Sequence, residues 1–356
     1  MRVGLFSPYS LSVHGGVQDQ VLGLARALRR HGLNARVLGP CDGPPPESGV
    51  TPLGNAIPVD ANGSVAPIAP DPAAALRTIR ALRDERFDVI HLHEPLVPGP
   101  NQTALITKMA PIVGTFHAAG VSASYRWLRL PLKSISKAID IRCAVSEDAR
   151  ALAQQVMGGS CELLFNGVEV ERFRDATPWP HDGPPVIFFV GRHEDRKGLR
   201  VLLEAHRLLT VETELWIASG GPLTEELQGQ YRDPRIRWLG RISNLEKARR
   251  WRTATVYCAP SLGGESFGVV LLESMAAGTA VVASSIDGYR NVATDGIDAL
   301  LVKPDDPVLL SKALHRVITE PSVRDELELC GSQTATRYSM DALARSYIER
   351  YERIAR

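Results

Sequence analysis

The chain has 356 residues, 44% of them hydrophobic and 23% charged, with a formal net charge of +1. Its length exceeds what one hydrophobic core usually serves and predicts two domains, while the composition excludes a disordered tail or a membrane-embedded protein. The near-zero net charge excludes general attraction to polyanions and speaks against a nucleic-acid partner, so an anionic ligand needs a local site.

The five cysteines, Cys41, Cys143, Cys161, Cys258 and Cys330, are odd in number and never spaced Cys-x-x-Cys. They fit reduced thiols in a cytoplasm better than a disulfide framework or a structural zinc. No apolar run approaches the roughly 20 residues that span a bilayer, and the chain opens on a strand, Val3-Gly4-Leu5-Phe6, rather than a signal peptide. A cytoplasmic protein is expected, with any contact to the inner face of the membrane peripheral.

In chain order, Val3 to Phe6 predicts a strand, followed by a glycine turn and a helix from about Gln18 to Arg30. Val21, Leu24, Ala25 and Leu28 line one face of that helix and Gly32 stops it. Buried-strand runs follow at Ala35 to Leu38, Val89 to Leu92, Ile112 to Phe116 and Arg142 to Val145, separated by segments long enough for crossovers. This α/β alternation predicts a doubly wound parallel sheet over residues 1–168. The proline-rich stretch 169–185 is expected to be a linker. A second alternation over 186–339 predicts strands at Val186 to Val190, Leu215 to Ala218, Arg235 to Leu239, Val256 to Ala259 and Ala280 to Ala283. Helices are predicted at Leu199 to Leu209, Leu245 to Thr253 and about Phe267 to Ala277. Two Rossmann-like halves facing a cleft result, with no repeat of sequence between them.

Three segments carry chemistry. His14-Gly15-Gly16-Val17 lies between the first strand and helix, where bare backbone amides and a helix N-terminus suit a phosphate; a plain tight turn is the alternative. It departs from Gly-x-Gly-x-x-Gly, which removes the main support for dinucleotide chemistry. Gly191-Arg192-His193-Glu194-Asp195-Arg196-Lys197-Gly198 again joins a strand to a helix. Arg192 by its fork and Lys197 as a point charge suit a pyrophosphate and could stabilise a departing diphosphate without a metal. The competing reading is a solvated loop paired internally through Glu194 and Asp195. The third segment, Gly263-Gly264-Glu265-Ser266-Phe267-Gly268 to Glu273, places two carboxylates seven residues apart, the second in an apolar helix start. A carboxylate there needs partners, which sugar hydroxyls or a neighbouring amide can supply. His91 and His93 share one face of a strand, and a structural role is expected over a metal pair.

These segments, with His91-Leu92-His93-Glu94-Pro95, Thr115-Phe116-His117, Asn166-Gly167-Val168 and Met275-Ala276-Ala277-Gly278, occur in order from Met1 to about Ala355. Together they resemble the retaining glycosyltransferases of family four, most of all the branch that mannosylates phosphatidylinositol. The resemblance implies the GT-B fold, with the donor held mainly by the C-terminal domain and the final helix, 340–356, crossing back onto the N-terminal one. It implies that Arg192 and Lys197 hold the donor diphosphate, Glu265 the hydroxyls of the transferred sugar, and Glu273 the ribose. Gly16 would place an amide by the diphosphate and His117 would sit near the sugar on the acceptor side. Lys247, Ser266, Phe267 and Gly268 would complete the donor site; Tyr9, Gln18, Asn62 and Ser64 would meet the acceptor. Same-face attack by an acceptor hydroxyl preserves configuration, with the leaving phosphate taking the proton. No Asp-x-Asp occurs in the sequence, so no metal is expected, and no cofactor apart from the nucleotide-sugar substrate, GDP-mannose.

The chain also departs from that branch. Ser243 and Asn244 stand where a carboxylate reads the guanine edge, and a carboxylate accepts both guanine N–H groups better than an amide oxygen does. Pro67 replaces a basic residue expected to meet the inositol phosphate. A lysine-rich membrane helix is reduced to Arg77, Arg80 and Arg83, while Arg126, Arg129, Lys133 and Lys137 offer another basic face to anionic lipid; an ordinary solvated helix face is the alternative. The expected acceptor is phosphatidylinositol-like or another polyol. A UDP-sugar transferase with another acceptor, a non-catalytic nucleotide-sugar-binding protein and a GT-B sugar-nucleotide epimerase remain alternatives.

Overall fold

A computed structural model describes residues 1–13, 15–61, 64–117 and 133–355. The chain divides into two compact units, Met1–Gly167 with Met340–Arg356, and Val168–Ser339. Each is an α/β unit built on a parallel sheet.

In the first unit the order is β1 (Arg2–Phe6), α1 (Gly16–Arg30), β2 (Asn34–Gly39), β3 (Val50–Pro52), β4 (Ile57–Ala61), β5 (Ser64–Ile68), α2 (Pro72–Glu85), β6 (Val89–His93), α3 (Pro100–Thr107), β7 (Ile112–Phe116), β8 (Ile141–Ala144), α4 (Glu147–Met157) and β9 (Glu162–Leu163), with the C-terminal helix Met340–Ile354. The parallel sheet runs β3-β2-β1-β6-β7-β8-β9, and β4 and β5 form a separate antiparallel hairpin. β6 and β7 are buried throughout, the polar His91, His93 and Thr115 included, so neither shows the in-and-out alternation of a half-exposed strand. α1 buries Val21, Leu24, Ala25 and Leu28 and ends where Gly32 turns to φ 82°. Asp71 and Ser146 cap α2 and α4 by accepting from the amides of Ala74 and Ala149. The C-terminal helix buries Leu343, Ala344, Tyr347 and Tyr351 in the same core as α1.

In the second unit the order is α5 (Val170–Arg174), β10 (Val186–Val190), α6 (Leu199–Leu208), β11 (Glu214–Ala218), α7 (Thr224–Gln230), β12 (Ile236–Gly240), α8 (Asn244–Thr253), β13 (Val256–Ala259), α9 (Val269–Ala276), β14 (Ala280–Ser284), α10 (Asp287–Arg290), β15 (Leu300–Val302), α11 (Pro307–Thr319) and α12 (Pro321–Arg337). The strand order is β12-β11-β10-β13-β14-β15. Successive strands step outward from β10 and then jump to its other side at β13. In an open α/β sheet ligands bind at such a switch point, outside the carboxyl ends of the strands.

The stretch 169–185 is not a free linker. α5 buries Phe173 edge-on against Trp251, and the Trp179 amide donates to the Arg249 carbonyl. The Arg250 guanidinium lies between two indoles, 4.2 Å from the Trp179 ring centre and 4.8 Å from that of Trp216. Two aromatic anchors thus outweigh the local proline signal and fasten the stretch to the second unit. The hairpin β4–β5 and the short strands β3, β9 and β15 add to the elements expected.

Candidate active site

In the second unit the loops leaving β10 and β13, which flank the switch point, meet. Gly198 sits at φ 67°, and a Cβ there would lie 1.9 Å from the Pro260 carbonyl oxygen, so only glycine lets the loops approach this closely. The Leu262 amide donates to the Arg196 carbonyl beside it. Across this seam Lys197 Nζ lies 2.5 Å from Glu265 Oε1, with both side chains less than one-fifth exposed. Ser261 Oγ donates to the same oxygen at 3.2 Å, and Arg196 approaches it at 3.6 Å. Arg192 is half exposed and pairs with Glu194 at 2.8 Å, while Arg196 takes the other Glu194 oxygen at 3.0 Å. The internal pairing through Glu194 is therefore present, but Lys197 escapes it.

Lys247, on α8, bridges both oxygens of Glu273 on α9 at 3.1 and 3.3 Å, and lies 5.1 Å from the Trp251 ring centre. The structure thus brings together two cation–carboxylate pairs, Lys197–Glu265 and Lys247–Glu273. Between them in sequence, the Ser266 carbonyl accepts from Asn291 at 3.0 Å, and Gly268, at φ 83°, opens α9. The Phe267 ring is buried edge-on against Tyr338, so any ligand contact of Phe267 falls to its backbone. Ser243 Oγ accepts from the Glu246 amide and caps α8, which occupies the hydroxyl of a residue expected near the base.

In the first unit the β1 and β6 ends flank the corresponding switch point. Gly16 opens α1, and a Cβ on it would meet nothing within 4 Å, leaving space above the backbone. Gln18 is buried and donates to the Ser10 carbonyl at 3.3 Å, so its amide already serves the loop after β1. Tyr9 bridges Ile68 through its backbone, tying that loop to the β4–β5 hairpin. Ser64 begins β5; Asn62, His14, Arg126 and Arg129 lie outside the described residues. Pro67 sits in β5, where its carbonyl accepts from the Ser10 amide.

His117 follows β7 and is held on three sides. Its backbone amide donates to Glu94 Oε1 at 2.5 Å, its Nε2 lies 2.9 Å from His93 Nδ1, and its ring also bonds Asn166. Burial pushes its pKa down to about 4, and the Asn166 bond only partly offsets this. His91 contacts the Tyr351 hydroxyl at 2.6 Å and Thr115 Oγ1 at 2.8 Å, which makes it a satisfied structural histidine. Burial lowers the His91 pKa to about 3 and depresses that of His93 as well. Among the described residues no three metal-binding side chains converge.

Residues 14–172 match the model of Glycosyltransferase Family 4, and residues 184–320 that of Glycosyl transferases group 1. Over 366 residues the chain is 38% identical to the phosphatidyl-myo-inositol mannosyltransferase of Mycobacterium leprae, covering 100% of this chain and 97% of that one. The chain is a family 4 glycosyltransferase. It is 37% identical to the enzyme of the same name from Mycolicibacterium smegmatis, covering 100% of this chain and 94% of its relative. The fold matches Anabaena Alr3699/HepE, solved in complex with UDP, at a TM-score of 0.77 and 15% identity, over 99% of this chain and 100% of that one. The fold is thus GT-B, as in the solved glycosyltransferases.

This family 4 glycosyltransferase also uses residues whose roles the motifs left unassigned. Gln20 exchanges two hydrogen bonds with Gly167, at 2.8 and 2.9 Å, and so fixes the residue after Asn166. His193 is buried, contacts Thr224 Oγ1 at 2.8 Å, and its amide and carbonyl bond Gly220 and Leu223. It ties the loop carrying Arg192 and Lys197 to the one after β11. Neither partnership has a local signal, because the partners lie far apart in sequence. Among the described residues no helix is long and apolar enough to cross a membrane.

Proposed function

We propose that the protein transfers mannose from GDP-mannose to a phosphatidylinositol-like or other polyol acceptor, with retention and without a metal. The observation that carries this is the likeness, over the whole chain, to phosphatidyl-myo-inositol mannosyltransferases. The donor diphosphate lies at the β10 loop, where Arg192 and Lys197 neutralise it. As the bond from the anomeric carbon to the phosphate oxygen breaks, charge grows on that phosphate, and preorganised cations stabilise it without reorganisation. Glu265 accepts hydroxyls of the sugar on the oxygen that Lys197 does not hold, and the ammonium turns its remaining donors to the phosphate. Glu273 receives the ribose, and Gly16 supplies an amide to the diphosphate. The acceptor oxygen bonds to the anomeric carbon from the face the phosphate leaves, and its proton passes to a departing phosphate oxygen. His117, neutral because buried, offers a hydrogen bond rather than a charge to the sugar. The protein acts at the membrane surface, where a lipid acceptor resides.

A second reading replaces GDP by UDP, favoured by the capping role of Ser243 and by the amide residue Asn244 that follows it. The test is transfer from GDP-mannose, UDP-glucose and UDP-N-acetylglucosamine to phosphatidylinositol in vesicles, with calorimetry of GDP and UDP. Mannose transfer with tighter GDP binding supports the proposal; UDP binding without GDP binding overturns the donor.

A further inference from the structure

The carboxylate of Glu265 is gripped at one oxygen only. Lys197, Ser261 and Arg196 all converge on Oε1, and among the described residues none bonds Oε2. Behind Ser261 stands the hydroxyl of Tyr289, 2.8 Å away, with both residues almost wholly buried. The proton order is forced. A carboxylate oxygen only accepts, so Ser261 spends its single proton on Glu265, and Tyr289 donates to Ser261. Burial and the nearby Glu265 charge raise the Tyr289 pKa, so the phenol keeps the proton it donates.

The backbone around Tyr289 is fitted to the same loop. A Cβ on Gly288 would come within 1.9 Å of the Glu265 carbonyl oxygen, and one on Gly268 within 3.1 Å of the Tyr289 ring. Asn291, one residue beyond α10, donates to the Ser266 carbonyl. Three positions, 288, 289 and 291, therefore bear on the loop from Glu265 to Gly268 through backbone contact, hydroxyl relay and amide.

We propose that Tyr289 and Ser261 are positioning residues that hold Glu265 through a relay ending on Oε1, so that Oε2 is presented to the hydroxyls of the transferred sugar. The inference rests on the assignment of Glu265 to that sugar. Its reason is geometric: a carboxylate with one oxygen clamped and one free offers an acceptor of fixed direction, and misplacing such a group by about 1 Å costs on the order of 10²-fold in rate.

The test uses the full chain with GDP-mannose and vesicles containing phosphatidylinositol, and compares wild type, Tyr289→Phe, Ser261→Ala and the double variant. Y289F keeps the buried ring and removes only the hydroxyl. The relay requires kcat to fall about tenfold in Y289F and at least as far in S261A, with GDP affinity unchanged by calorimetry. The double variant should be no slower than S261A, because the phenol acts only through the serine. Wild-type kcat in Y289F would overturn the relay, as would losses in kcat and GDP affinity that move together, or multiplicative losses in the double variant. A wild type that binds GDP yet transfers no sugar from any nucleotide donor would instead refute the role of Glu265, and the relay with it.

Discussion

Lowering the pH from 7.5 to 5 should destabilise the first unit through its buried imidazoles. The unfolded rings take up protons near pH 6.5, whereas folded His91 does so near pH 3 and His117 near pH 4. Between those limits the unfolded chain binds more protons, so the stability they contribute is complete above about pH 6.5 and drains away as pH falls toward 4 and then 3. At pH 5 each ring withdraws about 2 kcal/mol, or about 4 kcal/mol together, on the linkage relation. Against a typical total of about 5–15 kcal/mol, that lowers the melting temperature by roughly 8–16 °C for a unit of this size. The assay is thermal and denaturant unfolding at pH 7.5, 6 and 5, a window above most carboxylate titrations. His206, in the second unit, is also depressed to about 4 by burial, so the contribution of His91 is read by comparing wild type with His91→Asn. H91N should be less stable at pH 7.5, because Tyr351 and Thr115 lose a partner, but its pH slope should be shallower by about 2 kcal/mol at pH 5. An equally steep slope in H91N, or no pH dependence in the wild type, would refute the account.

Lys197→Ala and Arg192→Ala should each lower turnover by about 10² or more, the usual loss on removing a preorganised donor to a developing anion; steady-state kinetics with saturating donor reads this. Gly198→Ala adds a Cβ against the Pro260 carbonyl at a left-handed φ, and should destabilise the second unit by about 2–4 kcal/mol in urea titrations that follow tryptophan fluorescence. Excess chelator should leave transfer unchanged, whereas abolition by EDTA with rescue by a divalent ion would remove the leaving-group role of the two cations.

The sheet strands were legible because parallel strands buried on both faces are short apolar runs, such as Val186 to Val190. β3, β9 and β15, of three residues or fewer, are too short to show a period. The stretch 169–185 misled because proline density is a local signal, while Phe173 and Trp179 find their partners more than 60 residues away. Around the candidate site, Gly198, Glu265 and Gly268 announce themselves by residue type and position between strand and helix. Ser261 and Tyr289 do not: a serine and a tyrosine 28 residues apart become a relay only when α10 is laid against the loop after β13. Asn166 could be quoted as a motif residue, but its bond to His117 depends on β7 and the segment after β9 meeting in space.

Both ends of the second unit lie side by side, the Val168 amide bonding the Tyr338 carbonyl at 2.9 Å, so this unit is a closed parcel inserted into the first. A ribosome therefore releases the first 167 residues before their last helix exists. At about 5–20 residues per second, the nascent sheet waits roughly 10–40 s for Tyr347 and Tyr351. Until they arrive His91 has no phenol to hold, and the inserted unit, whose chain is contiguous, is free to fold first.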